Sequence, residues 1–178
     1  MATNELARTA ASIEQTRIDL PISYDETVWA FETTLGCLEP NVYKSLIQRS
    51  APWPEVEAAM TRVGGPSGLM IIGTFDQGAI ASLAGTPMHC RLYIVGNPAI
   101  AAKIIAIDVR ASFYVPFRVA IYAEPGSRTT SITFDRPSSF LGTLGRPELE
   151  PFGLMLDEKI DSVVASIRQR LATDLHAA

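Results

Sequence analysis

Apolar and polar residues alternate in short segments of this 178-residue chain, and the alternation favours a sheet that buries one face. In residues 16–22, Ile18, Leu20 and Ile22 alternate with polar residues or proline. Further strands are predicted at residues 69–75, 88–95, 117–123 and 129–134. Because successive side chains of a strand point to opposite faces, each strand is expected to have a core side and a polar side.

Helical signals stand between these strands without a regular strand–helix repeat. Ser23 and Glu26 form a capping box that begins a helix, and Gly36 ends it. Two short helices are predicted on either side of the proline-containing segment 51–54. Further helices are predicted at 99–109 and at about 148–175, with a loop at 137–147. This order predicts an α+β fold with two layers, in which helices cover one face of a largely antiparallel sheet and a long helix closes the chain.

Residues 16–178 are expected to form one domain, because no linker, repeat or low-complexity segment divides them. Residues 1–15 are interpreted as an N-terminal extension, in which residues 3–14 are compatible with a short helix.

Composition excludes several classes of protein. A hydrophobic content of 47% with 19% charged residues is that of a chain with a buried core, and a mean hydropathy of +0.16 predicts a large core or a buried interface. The net charge of −4 offers no broad basic surface, so no nucleic-acid partner is expected. No apolar run approaches the roughly 20 residues of a membrane helix. With no secretory signal at the N-terminus either, we expect a cytoplasmic protein without membrane contact.

The polar sides of the predicted strands supply the candidate binding residues. If the strands adjoin, one surface carries His89, Arg91, Tyr93, Arg118, Tyr122, Thr133 and Asp135. The planar fork of arginine binds carboxylate or phosphate in a bidentate manner, which favours a small organic anion as the ligand. The predicted ligand-binding residues are Arg91, Tyr93, Arg118 and Tyr122.

Acid–base chemistry is the reaction type that these residues suggest. Of the two histidines, His89 is the one outside the terminal tail. An imidazole exchanges protons near neutral pH, which makes His89 the candidate for proton transfer. Asp135 or Asp76 would orient it or act as a second base. The hypothesis is a cofactor-free isomerase, cyclase or lyase; no nucleophile elbow, zinc-protease helix or phosphate loop supports another class.

Other interpretations of the same residues remain open. The polar side is also consistent with a solvated sheet face with cross-strand ion pairs, or with the contact surface of a non-catalytic dimer. His89 is also a candidate axial haem ligand, in a pocket supplied by Met70, Phe75 and Met88. A metal site at His89, Asp76 and Asp135 would lack characteristic spacing, so neither a metal nor a cofactor is predicted.

Three stretches resemble the domain-of-unknown-function family 302. They are a strand leading into a capped helix at 18–28, a strand ending in Gly-Asn-Pro at 92–98, and Asp108 followed by a strand ending in Tyr-Ala-Glu at 114–124. The resemblance implies a small α+β protein, often dimeric, in a family largely without an assigned reaction. A homodimer is therefore expected. Residues 37–68 form a longer insertion than the family pattern, and Phe113 and Tyr114 stand where aliphatic residues are more usual.

Overall fold

The computed structural model describes residues 10–177, with side chains described for residues 10–170. In chain order the strands are β1 (Gln15–Leu20), β2 (Gly36–Cys37), β3 (Met70–Phe75), β4 (His89–Gly96), β5 (Phe117–Ala123) and β6 (Thr130–Asp135). They form one six-stranded sheet in the order β1-β6-β5-β4-β3-β2. Only β2 and β3 pair in parallel, so the prediction of a largely antiparallel sheet is confirmed.

The helices of the described chain are α1 (Tyr24–Thr34), α2 (Pro40–Gln48), α3 (Trp53–Val63), α4 (Gln77–Ser82), α5 (Pro98–Ile107), α6 (Pro137–Gly142) and α7 (Glu150–Ala177). The predicted capping box is present, since the Glu26 amide donates to Ser23 Oγ at 3.3 Å and the Ser23 amide donates to Glu26 Oε2 at 3.0 Å. None of the described helices is long and apolar enough to cross a membrane.

Two expectations about local structure are wrong. Residues 137–147 are not all loop, because α6 begins there and buries Phe140 and Leu141 in the core. Residues 10–14 form no helix, and the rest of the short helix considered for 3–14 lies outside the described residues.

Helices α1 and α7 cover one face of the sheet, which confirms the predicted α+β architecture. Phe31 of α1 packs on Tyr93 of β4 with 4.8 Å between ring centroids. From α7, Ile160 and Ile167 are fully buried in the same core. The strands contribute to this core Ile18, Leu20, Ile71, Tyr93, Val95, Phe117, Val119, Ile121, Ile132 and Phe134.

A second, smaller core lies beside the first, where α2 and α3 pack against α5. Its buried residues are Leu38, Leu46, Ala59, Met60, Met70 and Ala99. Most of it comes from residues 37–68, the segment interpreted as an insertion. The two cores meet along α5, because Ala99 belongs to the smaller core and Ile104 to the larger one.

Candidate functional site

The predicted common polar surface does not form, because the strand register divides its residues between the two faces of the sheet. Cys90 pairs with Tyr122, Leu92 with Ala120 and Ile94 with Arg118. The alternate residues of β4, which are His89, Arg91 and Tyr93, therefore point to the face that the helices cover. The opposite, open face carries Arg118, Tyr122, Thr133 and Asp135. The expectation that all seven residues share one surface is wrong.

Arg91 lies on the covered face, held between two carboxylates. Its Nη1 donates to Glu32 Oε1 at 3.1 Å and its Nη2 donates to Asp76 Oδ2 at 2.8 Å. The Tyr93 hydroxyl also donates to Glu32 Oε1, at 2.8 Å. The hydrogen bond from Arg91 lowers the pKa of Asp76, and burial raises the pKa of Tyr93. The two carboxylates bind the terminal nitrogens of Arg91, so the residue forms a structural ion-pair cluster. Its buried Nε has no hydrogen-bond partner among the described residues.

The three residues predicted for acid–base chemistry do not meet. The His89 ring contacts the Tyr24 ring in a tilted arrangement, with 5.1 Å between ring centroids, at the end of β4 that pairs with Ala123. Asp76 caps α4 through the Ala79 amide at 2.9 Å and binds Arg91. Asp135 lies on the open face, at the end of the strands opposite His89. Its Oδ2 is 3.7 Å from Arg118 Nη2. Their catalytic roles stay predictions.

The apolar pocket that the haem interpretation requires does not surround His89. Met70 is fully buried in the smaller core, whereas Phe75 is 56% exposed and pairs with Leu92 on the open face. His89 itself is exposed beside a groove lined by residues of the α1 start and of the β5–β6 turn. The described residues include no cluster of three or more His, Cys, Asp or Glu side chains that would hold a metal ion.

The open face has an apolar centre and a mixed-charge border. Leu92 and Ile94 of β4 lie at its centre beside Phe75, and none of these side chains belongs to either buried core. The border carries two positive and two negative groups, Arg17, Arg118, Asp19 and Asp135. Such a face resembles a contact surface more closely than an anion-binding groove, because the positive and negative groups are balanced.

An apolar cavity of about 320 Å³ lies where the two cores meet. Its apolar walls include Leu38, Ile72, Ile100, Ile104, Val115 and Leu156. Tyr43 and Asn97 contribute the polar side chains, and none of the lining residues is charged. Since an apolar cavity of about 150 Å³ holds one benzene, this volume suits a two-ring molecule or a medium-length alkyl chain.

Two of the stretches that resemble the family form one wall of this cavity. Gly96 ends β4, Asn97 caps α5 and Pro98 begins it, and Val115 and Pro116 lead into β5. A Cβ on Gly96 would lie 3.0 Å from Pro116 Cβ, so the glycine permits the two segments to approach. The Asn97 side chain accepts from the Ala99 amide at 2.9 Å and donates to Gly68 O at 2.8 Å.

Sequence reasoning assigned Gly96-Asn97-Pro98 to a turn and did not find the cavity. The sequence signal for the cavity is the presence of small residues at Gly96, Ala101 and Ala102, which leave space beside α5. Which side chains face that space depends on α2 and Leu156, which lie far away in the sequence.

These features define a two-layer α+β protein with one open sheet face and an apolar cavity beside the sheet. The domain of unknown function DUF302 matches residues 47–167, and the chain belongs to that family. The match includes the stretches at 92–98 and 114–124, and the stretch at 18–28 lies outside it.

A crystal structure of an uncharacterized conserved DUF302 protein from Bacillus stearothermophilus has the same fold. The TM-score is 0.59 at 17% sequence identity, and the similarity covers 86% of this chain and 97% of that chain. At this identity the likeness shows the fold alone. No curated protein matches the chain.

Proposed function

We propose that this DUF302 protein binds a small, largely apolar molecule in the cavity beside α5. The supporting observation is the uncharged wall of the cavity, in which Tyr43 and Asn97 provide the polar groups. In pockets of this kind, burial of apolar surface supplies affinity and a few polar groups fix the orientation. Catalysis forms no part of the proposal, because His89, Asp76 and Asp135 are separated from one another and from the cavity.

The ligand-binding residues of this proposal differ from those predicted from the sequence. Arg91 and Tyr93 are bound to Glu32, and Arg118 and Tyr122 lie on the open face. The cavity instead uses side chains of α5, α2 and the start of β5. The ligand class changes accordingly, from a small organic anion held by arginines to a molecule with an apolar body.

Filling the cavity tests the proposal. Ala101 lines the cavity, whereas Ala106 is exposed on the same helix and does not line it. The uncharged fluorophore N-phenyl-1-naphthylamine should brighten on binding the wild-type protein. Ala101→Phe should weaken this binding about tenfold or more, and the matched control Ala106→Phe should leave it unchanged. No binding by the wild type, or equal binding by both variants, would overturn the proposal.

A second variant separates loss of space from loss of folding. Ala102 lies at the exposed mouth of the cavity, so Ala102→Phe should narrow access without overfilling a core. Thermal denaturation should show all three variants folded. Native mass spectrometry of protein purified without added ligand offers an independent readout, in which any small-molecule adduct of the wild type should be absent from Ala101→Phe.

A second proposed function is self-association through the open face. The apolar centre at Leu92 and Ile94 is bordered by equal numbers of positive and negative groups. Within one chain, Arg17 Nε lies 2.8 Å from Asp19 Oδ1 and Arg118 Nη2 lies 3.7 Å from Asp135 Oδ2, so the border carries no net charge. A twofold axis through this face would bring its apolar centre against the same centre of a second copy without charge repulsion. The family resemblance, which implies a dimer, agrees with this arrangement.

Light scattering tests the dimer directly. Leu92→Glu puts a charge at the centre of the open face and should convert a dimer into a monomer of 19.3 kDa. The matched control is Leu154→Glu on α7, where the leucine is already 52% exposed. A wild-type monomer, or a dimer that survives Leu92→Glu, would contradict this second proposal.

A further inference from the structure

A second depression adjoins the apolar cavity on the far side of the α5 start. Asn97 and Ile100 line both spaces, so the two lie side by side. The depression has a volume of about 420 Å³ and a more polar wall, to which Thr61 and Ser67 contribute hydroxyl groups.

Two lysines from distant parts of the sequence converge at this depression. The chain has three lysines in all, Lys44, Lys103 and Lys159, and the last two line the depression from α5 and α7. Lys103 Nζ lies 2.7 Å from Glu57 Oε1, and Lys159 Nζ donates to Ser67 O at 2.6 Å. Glu57 is the one acidic residue among the lining residues, so the depression carries a local charge of +1 in a chain of net charge −4.

We infer that the cavity ligand is an amphiphilic carboxylic acid, whose apolar body lies in the cavity and whose head group lies between Lys103 and Lys159. The inference rests on the proposed function and adds the chemistry of the ligand's polar end. A carboxylate carries the single negative charge that balances the depression. An ammonium group has three donors and Lys159 uses one on Ser67 O, so donors remain for the head group.

A matched pair of ligands distinguishes this inference from simple apolar binding. Decanoate and decanol have the same chain length and differ in the charged head, and decanoate is ionised at about pH 7.5. Decanol is the more apolar of the two, so an uncharged cavity acting alone binds it more tightly. The inference predicts that decanoate displaces N-phenyl-1-naphthylamine at equal or lower concentration than decanol, and that only decanoate binding weakens at high salt.

Lysine variants identify the head-group site. Lys103→Gln and Lys159→Gln should each weaken decanoate binding about threefold and leave decanol binding unchanged. Lys44→Gln is the matched control, because Lys44 is an exposed residue of α2 that lines neither space. Lys103→Gln keeps the bond from Lys159 to Ser67 O, so its effect does not depend on the conformation of the 65–68 turn.

The outcomes separate the two proposals. If decanol displaces the fluorophore better than decanoate, or if Lys44→Gln has the same effect as Lys103→Gln, the head-group inference is wrong while the apolar site stands. If neither compound displaces the fluorophore, or if binding is insensitive to Ala101→Phe, the proposed function itself has failed.

Discussion

Asp108 is an example of a carboxylate whose protonation is set by its immediate neighbours. Its Oδ1 accepts from the Arg110 amide and from Arg110 Nε, both at 3.0 Å, and its Oδ2 accepts from Arg110 Nη2 at 2.6 Å. Its side chain is 8% exposed. The hydrogen bonds from Arg110 lower the pKa of Asp108 to about 2.

Asp108→Asn should therefore alter the acid sensitivity of the fold. A carboxylate whose pKa is lower in the folded than in the unfolded chain stabilises the protein fully above about pH 4. That contribution is lost as the pH falls towards about 2. Urea denaturation should show that Asp108→Asn is less stable at pH 7 and that its stability falls less steeply below about pH 4. Arg110→Gln should reproduce the effect, and a wild-type slope retained by both variants would contradict the assignment.

At the same scale, Arg91 shows why residue type alone misassigned the ligand site. An arginine beside tyrosines is chemically suited to an anion, and the sequence does not reveal that Glu32 and Asp76 reach it from α1 and the α4 cap. Arg91 and Tyr93 do lie together, but the protein's own carboxylates take the place that an anionic ligand would occupy.

Among the elements, α1 follows local sequence signals closely, whereas the short helices do not. Its capping box at Ser23 and Glu26 forms as predicted, and the Ser23 hydrogen bonds lower the pKa of Glu26. Helices α4 and α6 have six residues each and were not predicted. Helices this short derive their stability from tertiary packing, which local propensity does not report.

Removing the α1 cap should lower the free energy of unfolding. Ser23→Ala leaves the Glu26 amide without its acceptor and should cost about 1 kcal/mol. Ser45 is exposed in the middle of α2, where alanine is the better helix former, so Ser45→Ala should be neutral or slightly stabilising. Chemical denaturation measures both changes, and a Ser23→Ala value no larger than the Ser45→Ala value would argue against the cap.

At the scale of the molecule, the sheet has two different faces. One face lies under α1 and α7 in a continuous core, and the other has Leu92 and Ile94 at its centre without a covering from either core. Stability is therefore expected to depend on the covered face, and contact with other molecules on the open one.

A pair of identical substitutions tests this asymmetry. Ile132 is fully buried on the covered face, and Ile94 is half-buried on the open face. Ile132→Ala should lower the free energy of unfolding by about 2 to 5 kcal/mol, whereas Ile94→Ala should cost about 1 kcal/mol or less. Denaturation at low protein concentration limits any contribution from self-association. Equal losses would show that both faces are buried.

Local chemistry in the sequence was sufficient for the α+β class, the antiparallel strands, the α1 cap and the change from strand to helix near Gly96-Asn97-Pro98. These features depend on neighbouring residues, through alternation, capping and proline geometry. The orientation of β4 was not determined in this way. The sequence pattern predicts Cys90, Leu92 and Ile94 as the core side and His89, Arg91 and Tyr93 as the polar side. This prediction is wrong, because Tyr93 is fully buried in the larger core.

The tertiary structure decided that orientation, because Glu32 and Phe31 of α1 receive Arg91 and Tyr93 under the helices. It also created the apolar cavity and the lysine depression, each assembled from segments far apart in the chain. Both depend on which distant side chains meet, and pairwise contacts between distant residues are not encoded in any single local pattern.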